Sequence, residues 1–428
     1  ELAPIFDTAN VAVDHNQLTM EIMKKVADKH GLACLLHEKP FEGINGSGKH
    51  NNWSISTNTG ENLLDPGKTP DQNIQFLVFL MAVIKAVDEY ADLMRVSAAS
   101  AGNDHRLGGN EAPPAIVSIF LGDELTAVLK SIEEDTYFDE HQSVQLETGA
   151  HVLPHFMKDN TDRNRTSPFA FTGNKFEFRM LGSSASVATP NIILNTAVAE
   201  ALSQFAKELE GTAPEDMEHA VHELIKRAIK KHKKVIFNGN GYTEEWVEEA
   251  KKRGLYNLES TPDCLPQFIS DKNVELFTKH HIFTKEEIFS RYEILLENYV
   301  KTIGIEAKTM KEMLTKDFLP AVSSYAASVS DNALAMKALA PSVPTASAES
   351  LVSSLGDAYE KISSALSTLD EEIQEIDKKG SMQESADYCH KTVLATMDEL
   401  RAAADEAEAK IPDEELPYPT YDALLFSV

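Results

Sequence analysis

The chain has 428 residues, 42% of them hydrophobic, so it is long enough to bury a large core and to form more than one domain-sized unit. Its formal net charge of -28 opposes a general attraction to nucleic acid or to an anionic membrane surface. The longest apolar run, FLVFLMAVI at 76–84, is shorter than the roughly 20 residues that a membrane-spanning helix needs. Three widely separated cysteines lack the paired spacing of a zinc site or a disulfide framework. These features predict a cytoplasmic protein that binds neither nucleic acid nor membrane.

The N-terminal part begins with a helical pattern and continues with extended ones. A stripe of apolar residues within 16–30, followed by Gly31, predicts an amphipathic helix with a glycine stop. Extended stretches are predicted at 33–36 and at 53–57. They flank the glycine-rich segment EGINGSGKHNNWS at 42–54.

A long, deeply buried helix is predicted next. Thr69-Pro70 supplies a favourable N-cap and first turn, and the apolar residues that follow cover nearly the whole circumference up to about Arg95. The segment SAASAGNDHRLGGNEAPP at 97–114 is rich in glycine and small polar residues, which favours a long functional loop. A strand is predicted at 115–120.

The sequence then changes from one strict alternation to a helical pattern. In KFEFR at 175–179, alternation places Glu177 on the same strand face as Lys175 and Arg179. Beyond Thr189-Pro190 the pattern is helical. Helices are predicted at 191–209, 214–233, 243–253 and in several stretches from 285 onward, with a break at 338–350.

Two glycine motifs have simple structural readings when each is taken alone. The loop at 45–50 could be a tight turn, and it lacks the GxxxxGK[ST] spacing of a phosphate-binding Walker A loop. The sequence Asn238-Gly239-Asn240-Gly241 is interpreted as a turn.

The first motif occurs together with several other short motifs, and their combination changes its interpretation. ELAPIFDTAN, HEKPFEGINGSGKHNNWS, NDHRLGGNEAPP, DRNRTSP and KFEFR follow one another in a fixed order. Together these phrases resemble the signature blocks of glutamine synthetases, and the long helical C-terminal part resembles their type III branch. The resemblance implies an α+β fold in which a curved antiparallel sheet carries the active site and helices cover it. It also implies ATP-dependent joining of glutamate and ammonia through γ-glutamyl phosphate, with Mg²⁺ or Mn²⁺ as cofactor.

The resemblance implies a role for each matching residue. The metal ligands are Glu1, His50 and Glu177; the glutamate-binding residues are Asn45, Gly46, Arg106 and Arg179; the ATP-binding residues are Asn52, Ser54 and Arg165; the catalytic residues are Glu111, on a flap, and Arg165. These residue types suit phosphoryl transfer, which needs cations and guanidinium groups to neutralise oxygen charge. Isolated from the other blocks, each would be interpreted as an ordinary surface, loop or structural residue.

The sequence departs from the family pattern in places. Asn52 stands where a histidine is usual, Ala170 stands where an arginine is common, and the spacing from Arg106 to Glu111 is one residue shorter than in short-chain members. Family ligands upstream of Glu1 are not in this sequence. We therefore expect 1–205 to be an N-terminally truncated catalytic domain and 206–428 a helical type III region, within a longer chain, and we expect 1–428 alone not to make glutamine.

The resemblance also implies a homododecamer of two stacked hexameric rings.

Two other functions stay open from the sequence. One is a ligase that joins glutamate to an amine larger than ammonia, which an open channel near Glu111 would favour. The other is a non-catalytic relative that keeps the fold as a scaffold, although a scaffold does not require these converging charges.

Overall fold

The computed structural model describes residues 5, 7–41, 43–109, 111–136, 166–420 and 423. They divide into two compact units, one containing the helix Ala9–Lys29 with Ala33–Tyr292, the other His30–Leu32 with the residues from Glu293 onward. The helices of the first unit are α1 Ala9–Lys29, α2 Ile74–Glu89, α3 Ala91–Val96, α4 Ala101–Asp104, α5 Asp123–Glu134, α6 Ala188–Leu209, α7 Met217–His232, α8 Glu244–Lys252, α9 Thr261–Cys264 and α10 Asp271–Lys279. The strands are β1 Asn51–Trp53, β2 Ile119–Phe120, β3 Phe169–Phe171 and β4 Phe176–Phe178. This arrangement is the predicted α+β class.

Helix α11, Lys285–Met313, contributes residues to both units. The later helices are α12 Leu319–Leu339, α13 Ala346–Ile376, α14 Met382–Tyr388 and α15 Leu394–Glu408, with π-helical turns at Leu314–Phe318 and Cys389–Val393. Helix α13 packs against α12 and α15. The break predicted at 338–350 is confirmed. Within the described part of the chain, no helix is both long and apolar enough to cross a membrane.

The four strands form one sheet in the order β1-β4-β3-β2. The pairs β1–β4 and β4–β3 are antiparallel, as predicted, whereas β2 and β3 are parallel. Helix α5 lies between β2 and β3 in the chain, and such a long connection allows the second strand to return in the same direction. The sheet is therefore mixed.

Aromatic side chains form the core behind the sheet. Phe169 and Phe176 stack with their ring centroids 4.6 Å apart, and Phe171 reaches Phe76 of α2 at 6.0 Å. Helix α2 packs against α6 and α7, and its centre is fully buried. A buried helix is present as predicted, but it begins later than expected, and Tyr90 divides the predicted stretch into α2 and α3. The Asn73 side chain, not Thr69, caps it by accepting a hydrogen bond from the Phe76 N–H at 3.1 Å.

Other sequence predictions were wrong in position or in kind. Residues 33–36 form no strand, and the side chain of Leu35 is 69% exposed. A strand needs a hydrogen-bonded neighbour, and none is provided to 33–36 by the described residues. The strand predicted at 53–57 lies instead at β1, and β3 was not predicted. Helix α1 is present, but none of its residues is buried.

Candidate active site

Glu177 lies at the centre of β4, where it connects three other side chains. Its Oε2 is 2.7 Å from His50 Nε2 and accepts a hydrogen bond from Arg179 Nη2 at 2.8 Å. Its Oε1 accepts from Thr172 Oγ1 at 2.9 Å. Antiparallel pairing sets Asn52 opposite Glu177, so the residue just before β1 can reach the carboxylate. The structure thus brings the predicted residues His50, Glu177 and Arg179 together; their roles stay predictions.

These contacts determine the charge of Glu177, whose side chain is only 1% exposed. Burial alone raises the pKa of its carboxyl group, but hydrogen bonds from His50, Arg179 and Thr172 outweigh it and hold the pKa well below its ordinary value. The carboxylate is therefore negative at neutral pH. The flanking Phe176 and Phe178 are fully buried on the opposite side, which keeps Glu177 facing the cluster.

Arg106 is buried beneath the glycine-rich segment. Its Nη1 donates to Asn103 Oδ1 at 3.1 Å and to the Met180 carbonyl at 3.2 Å, and its Nη2 donates to the Arg179 carbonyl at 3.1 Å. Its Nε has no hydrogen-bond partner in the described residues. Burial lowers the pKa of the guanidinium, and the nearby Glu38 opposes that effect. The hydrogen bond to the Arg179 carbonyl connects Arg106 to the strand segment of Glu177.

The glycine-rich segment has glycines at positions where the structure leaves no room for a side chain. A methyl group at Gly46 would lie 2.8 Å from Arg106 Cγ, and one at Gly48 would lie 2.2 Å from Arg106 Nη2. Gly48 also forms a bridge with Gly182. In the structure these glycines make room for the Arg106 side chain, and the glutamate-binding role of Gly46 stays a prediction.

Glu38 is a residue of this region that the sequence reasoning missed. It is 5% exposed, and its Oε1 accepts hydrogen bonds from the Ser184 N–H at 2.8 Å and from Ser184 Oγ at 2.6 Å. Its carbonyl accepts from the Ser47 N–H at 2.7 Å. The one sequence signal was a charged residue four positions before the start of the glycine-rich segment, in HEKPFEG. Glu38 therefore joins that segment to the turn after β4.

Glu111 lies in the predicted loop after the short helix α4. Its φ of 68° is in the left-handed region, which is unusual for a residue with a side chain. Gly108 has a φ of 97°, which glycine adopts without strain because it has no Cβ. Its N–H donates to the Pro113 carbonyl at 3.0 Å. The loop is thus closed on itself around Glu111. The role of this loop as a flap stays a prediction.

None of the remaining predicted residues has a side-chain hydrogen bond to the cluster among the described contacts, and two of them are undescribed. Ser54 Oγ donates to Asn62 Oδ1 at 2.8 Å and to the Asn174 carbonyl at 2.9 Å, so it is engaged with a neighbouring turn. Asn45 and Asn52 are exposed. Glu1 and Arg165 lie outside the described residues.

The donor atoms of His50 and Glu177 suit a divalent cation. Carboxylate oxygens bind Mg²⁺ or Mn²⁺, and Mn²⁺ also accepts imidazole. No group of three or more His, Cys, Asp or Glu residues that could hold a metal occurs in the described part of the chain. The pair therefore fits part of a ligand set.

Comparison with known proteins identifies the family of the chain. Residues 1–117 match the family described as the glutamine synthetase catalytic domain, and residues 220–337 match that described as the glutamine synthetase C-terminal domain. The chain is similar over 100% of its length to a glutamine synthetase of Butyrivibrio fibrisolvens, at 55% identity, covering 61% of that protein. It is also similar over 100% of its length to the Type-3 glutamine synthetase of Dictyostelium discoideum, at 44% identity and 59% coverage, and to a glutamine synthetase of Bacteroides fragilis, at 39% and 60%. The chain belongs to the glutamine synthetase family, and it spans about three fifths of the length of these curated relatives.

Proposed function

We propose that this chain carries the catalytic machinery of a glutamate–ammonia ligase, which makes glutamine from glutamate, ammonia and ATP through γ-glutamyl phosphate. The observation that carries the proposal is the cluster of Glu177, His50 and Arg179, with Arg106 bonded to the Arg179 backbone. A carboxylate, an imidazole and two guanidinium groups in one place can neutralise phosphate charge and bind a carboxylate. Similarity to named glutamine synthetases over the whole chain supports the same reaction.

Each side chain has a proposed task. Arg106 and Arg179 bind the glutamate carboxylate, and Asn45 and Gly46 contribute to the same pocket. Arg106 is well suited because three hydrogen bonds, to the Asn103 side chain and to two backbone carbonyls, hold its guanidinium group in place. A group fixed before substrate arrives loses little further entropy on binding. Asn52, Ser54 and Arg165 are proposed to contact ATP.

His50, Glu177 and Glu1 are the proposed ligands of Mg²⁺ or Mn²⁺. When bound, the cations would neutralise the phosphate oxygens of ATP. The protein itself contributes the Glu177 carboxylate, which is already ionised and oriented. The hydrogen bonds from Arg179 and Thr172 keep Glu177 ionised and fix its direction, so that its position does not depend on the metal.

Glu111 is the proposed flap residue that helps to deprotonate ammonium and shields the acyl phosphate from water. Ammonia is the proposed acceptor because the similar proteins are glutamine synthetases, and glutamine is the product of joining glutamate to ammonia. Arg165 is proposed to assist at the transferred phosphoryl group.

We further propose that 1–205 form the catalytic domain and 206–428 the helical type III region. Both matched family segments fall on their expected sides of that boundary. The assembly is proposed to be a homododecamer of two stacked hexameric rings, located in the cytoplasm.

The complete native protein should form glutamine from glutamate, ammonium and ATP when Mg²⁺ or Mn²⁺ is supplied. Arg106→Met should abolish most of this activity, whereas Arg227→Met, at a side chain 57% exposed, should not. The same reaction with methylamine and with a diamine tests the acceptor. Products formed solely with the larger amines would identify the amine ligase, and a folded wild-type protein that forms no γ-glutamyl product would identify a non-catalytic relative.

A further inference from the structure

The motif Asn238-Gly239-Asn240-Gly241 is a turn that is hydrogen-bonded to the residues directly after strand β2. The Phe237 N–H donates to the Ile119 carbonyl at 2.8 Å, so this segment runs beside β2. Asn238 Oδ1 accepts from the N–H groups of Leu121 and Gly122, at 3.1 and 3.2 Å. The segment is therefore fixed to the edge of the sheet that carries the proposed active site.

Gly241 brings this segment against the loop of Glu111. Its N–H donates to Thr166 Oγ1 at 2.8 Å. A methyl group at Gly241 would lie 3.0 Å from the Thr166 carbonyl and 3.4 Å from Pro114 Cγ, in the same loop as Glu111. A side chain at position 241 would require the Thr166 backbone to shift by a few tenths of an ångström. The next residue, Tyr242, is consequently held over that loop.

The Tyr242 hydroxyl is hydrogen-bonded to the backbone of Glu111. This bond favours the ionised form of the hydroxyl, which identifies the Glu111 N–H group as the donor. Glu111 is the residue with the left-handed φ of 68°, a strained conformation for a residue with a side chain, which persists where the surroundings enforce it. The Glu111 carboxylate and the guanidinium groups of Arg106 and Arg179 also lie within electrostatic reach of the hydroxyl. Burial, followed by the charge of Glu111, raises the pKa of Tyr242, so the hydroxyl stays protonated at neutral pH.

We propose that Tyr242 is a positioning residue that holds the Glu111 backbone in its left-handed conformation and thereby aims the Glu111 carboxylate at the reacting ammonium. The inference rests on the proposed function of Glu111. Tyr242 acts through Glu111 and touches no substrate in this account, and a segment far from Glu111 in the sequence thus sets the geometry of the flap.

The test is Tyr242→Phe in the complete native protein, since this change removes the hydroxyl and keeps the ring. Loss of one hydrogen bond should lower kcat about three- to tenfold, with the KM for glutamate nearly unchanged. Amide hydrogen exchange at the peptide containing Glu111 should become faster. Tyr256→Phe is the matched control, since Tyr256 is similarly exposed, at 44% against 38%, and should change neither quantity.

A double-mutant cycle separates positioning from a general structural effect. If Tyr242 acts through Glu111, Tyr242→Phe should lower kcat in the wild type but not in the Glu111→Ala background. Equal losses in both backgrounds, or unchanged exchange at Glu111, would overturn the inference while leaving the proposed function intact. A wild-type protein that forms no glutamine would instead overturn the proposed function, and the exchange measurement would still decide whether the hydroxyl holds the loop.

Discussion

Gly48 lies directly against the guanidinium group of Arg106, so that a methyl group at Gly48 would be 2.2 Å from Arg106 Nη2. A contact under 3.0 Å cannot be accommodated without movement of one partner. The position of the proposed glutamate-binding arginine is therefore tied to the absence of a side chain in the loop above it.

We predict that Gly48→Ala raises the KM for glutamate about tenfold, which corresponds to about 1.4 kcal/mol of lost binding free energy. The added methyl group must displace Arg106 from its bonds to backbone carbonyls. Steady-state kinetics of the complete protein measure this change, with Gly304→Ala as the control because a methyl group there meets nothing within 4 Å. An unchanged KM in Gly48→Ala would show that Arg106 does not bind glutamate.

The sequence predicted what local periodicity determines. Strict alternation in KFEFR placed Glu177 and Arg179 on one face, and they are hydrogen-bonded there. The all-round apolar pattern of α2 predicted a buried helix correctly. Its start was misplaced because Thr69-Pro70 and Asn73 are competing local caps, and the choice between them depends on Asn73 also donating to the Asp65 carbonyl.

Other features depend on contacts between distant segments and had no local signal. Glu38 is buried by a turn 146 residues further along the chain, so its role could not be read from its neighbours in sequence. The turn containing Gly241 was interpreted as simple because its partner Thr166 is 75 residues away. The strand β3 is three residues long and is buried at every position, which leaves no alternation to detect.

Removal of the proposed metal ligands should change the metal requirement of the reaction. We predict that His50→Ala raises the Mn²⁺ concentration for half-maximal activity on the order of tenfold or more, because an imidazole donor is lost. Glu177→Gln should have at least as large an effect, since it removes the buried charge. Titration of metal-free enzyme with Mn²⁺ measures both, and His219→Ala, at an exposed position of α7, is the control. An unchanged Mn²⁺ requirement in both site variants would refute the assignment.

Glu200 of α6 should make stability depend on acid pH. Its carboxylate accepts hydrogen bonds at 2.6 Å from Lys279 Nζ and at 2.7 Å from Gln204 Nε2, and it lies 2.6 Å from His280 Nε2. Burial opposes ionisation, but these partners lower the pKa of Glu200 to about 2 from its ordinary 4.5. The folded state thus binds the proton less tightly than the unfolded state. The stabilisation is complete above about pH 4.5 and is lost as the pH falls towards 2.

We predict that Glu200→Gln lowers the free energy of unfolding by about 1.5–3 kcal/mol at pH 7, and that its difference from the wild type shrinks between pH 4.5 and pH 3. Urea denaturation at a series of pH values measures this difference. Glu312→Gln is the control, because the Glu312–Lys316 pair is exposed and should contribute little. A difference that is constant from pH 7 to pH 3 would mean that the charge of Glu200 is not the source of its stabilisation.

Glu38 should couple stability to glutamate binding. Its carboxylate is enclosed so tightly that a methyl group at Gly182 would lie 2.2 Å from Glu38 Oε1, and its charge opposes the loss of the Arg106 proton. Replacement by glutamine keeps the shape but removes the charge, and it turns one acceptor into a donor beside the Ser184 N–H. We predict that Glu38→Gln lowers the free energy of unfolding by about 1.5–3 kcal/mol and raises the KM for glutamate.

Ser184→Ala separates the two effects. This change removes the hydroxyl hydrogen bond to Glu38 but keeps the backbone one, so it should cost about 1 kcal/mol of stability and leave the KM for glutamate near that of the wild type. Urea denaturation and steady-state kinetics on the same preparations measure both quantities. Because the negative charge beside Arg106 persists in Ser184→Ala and is lost in Glu38→Gln, a KM that rises equally in the two variants would show that the packing of the turn, not the charge of Glu38, controls Arg106.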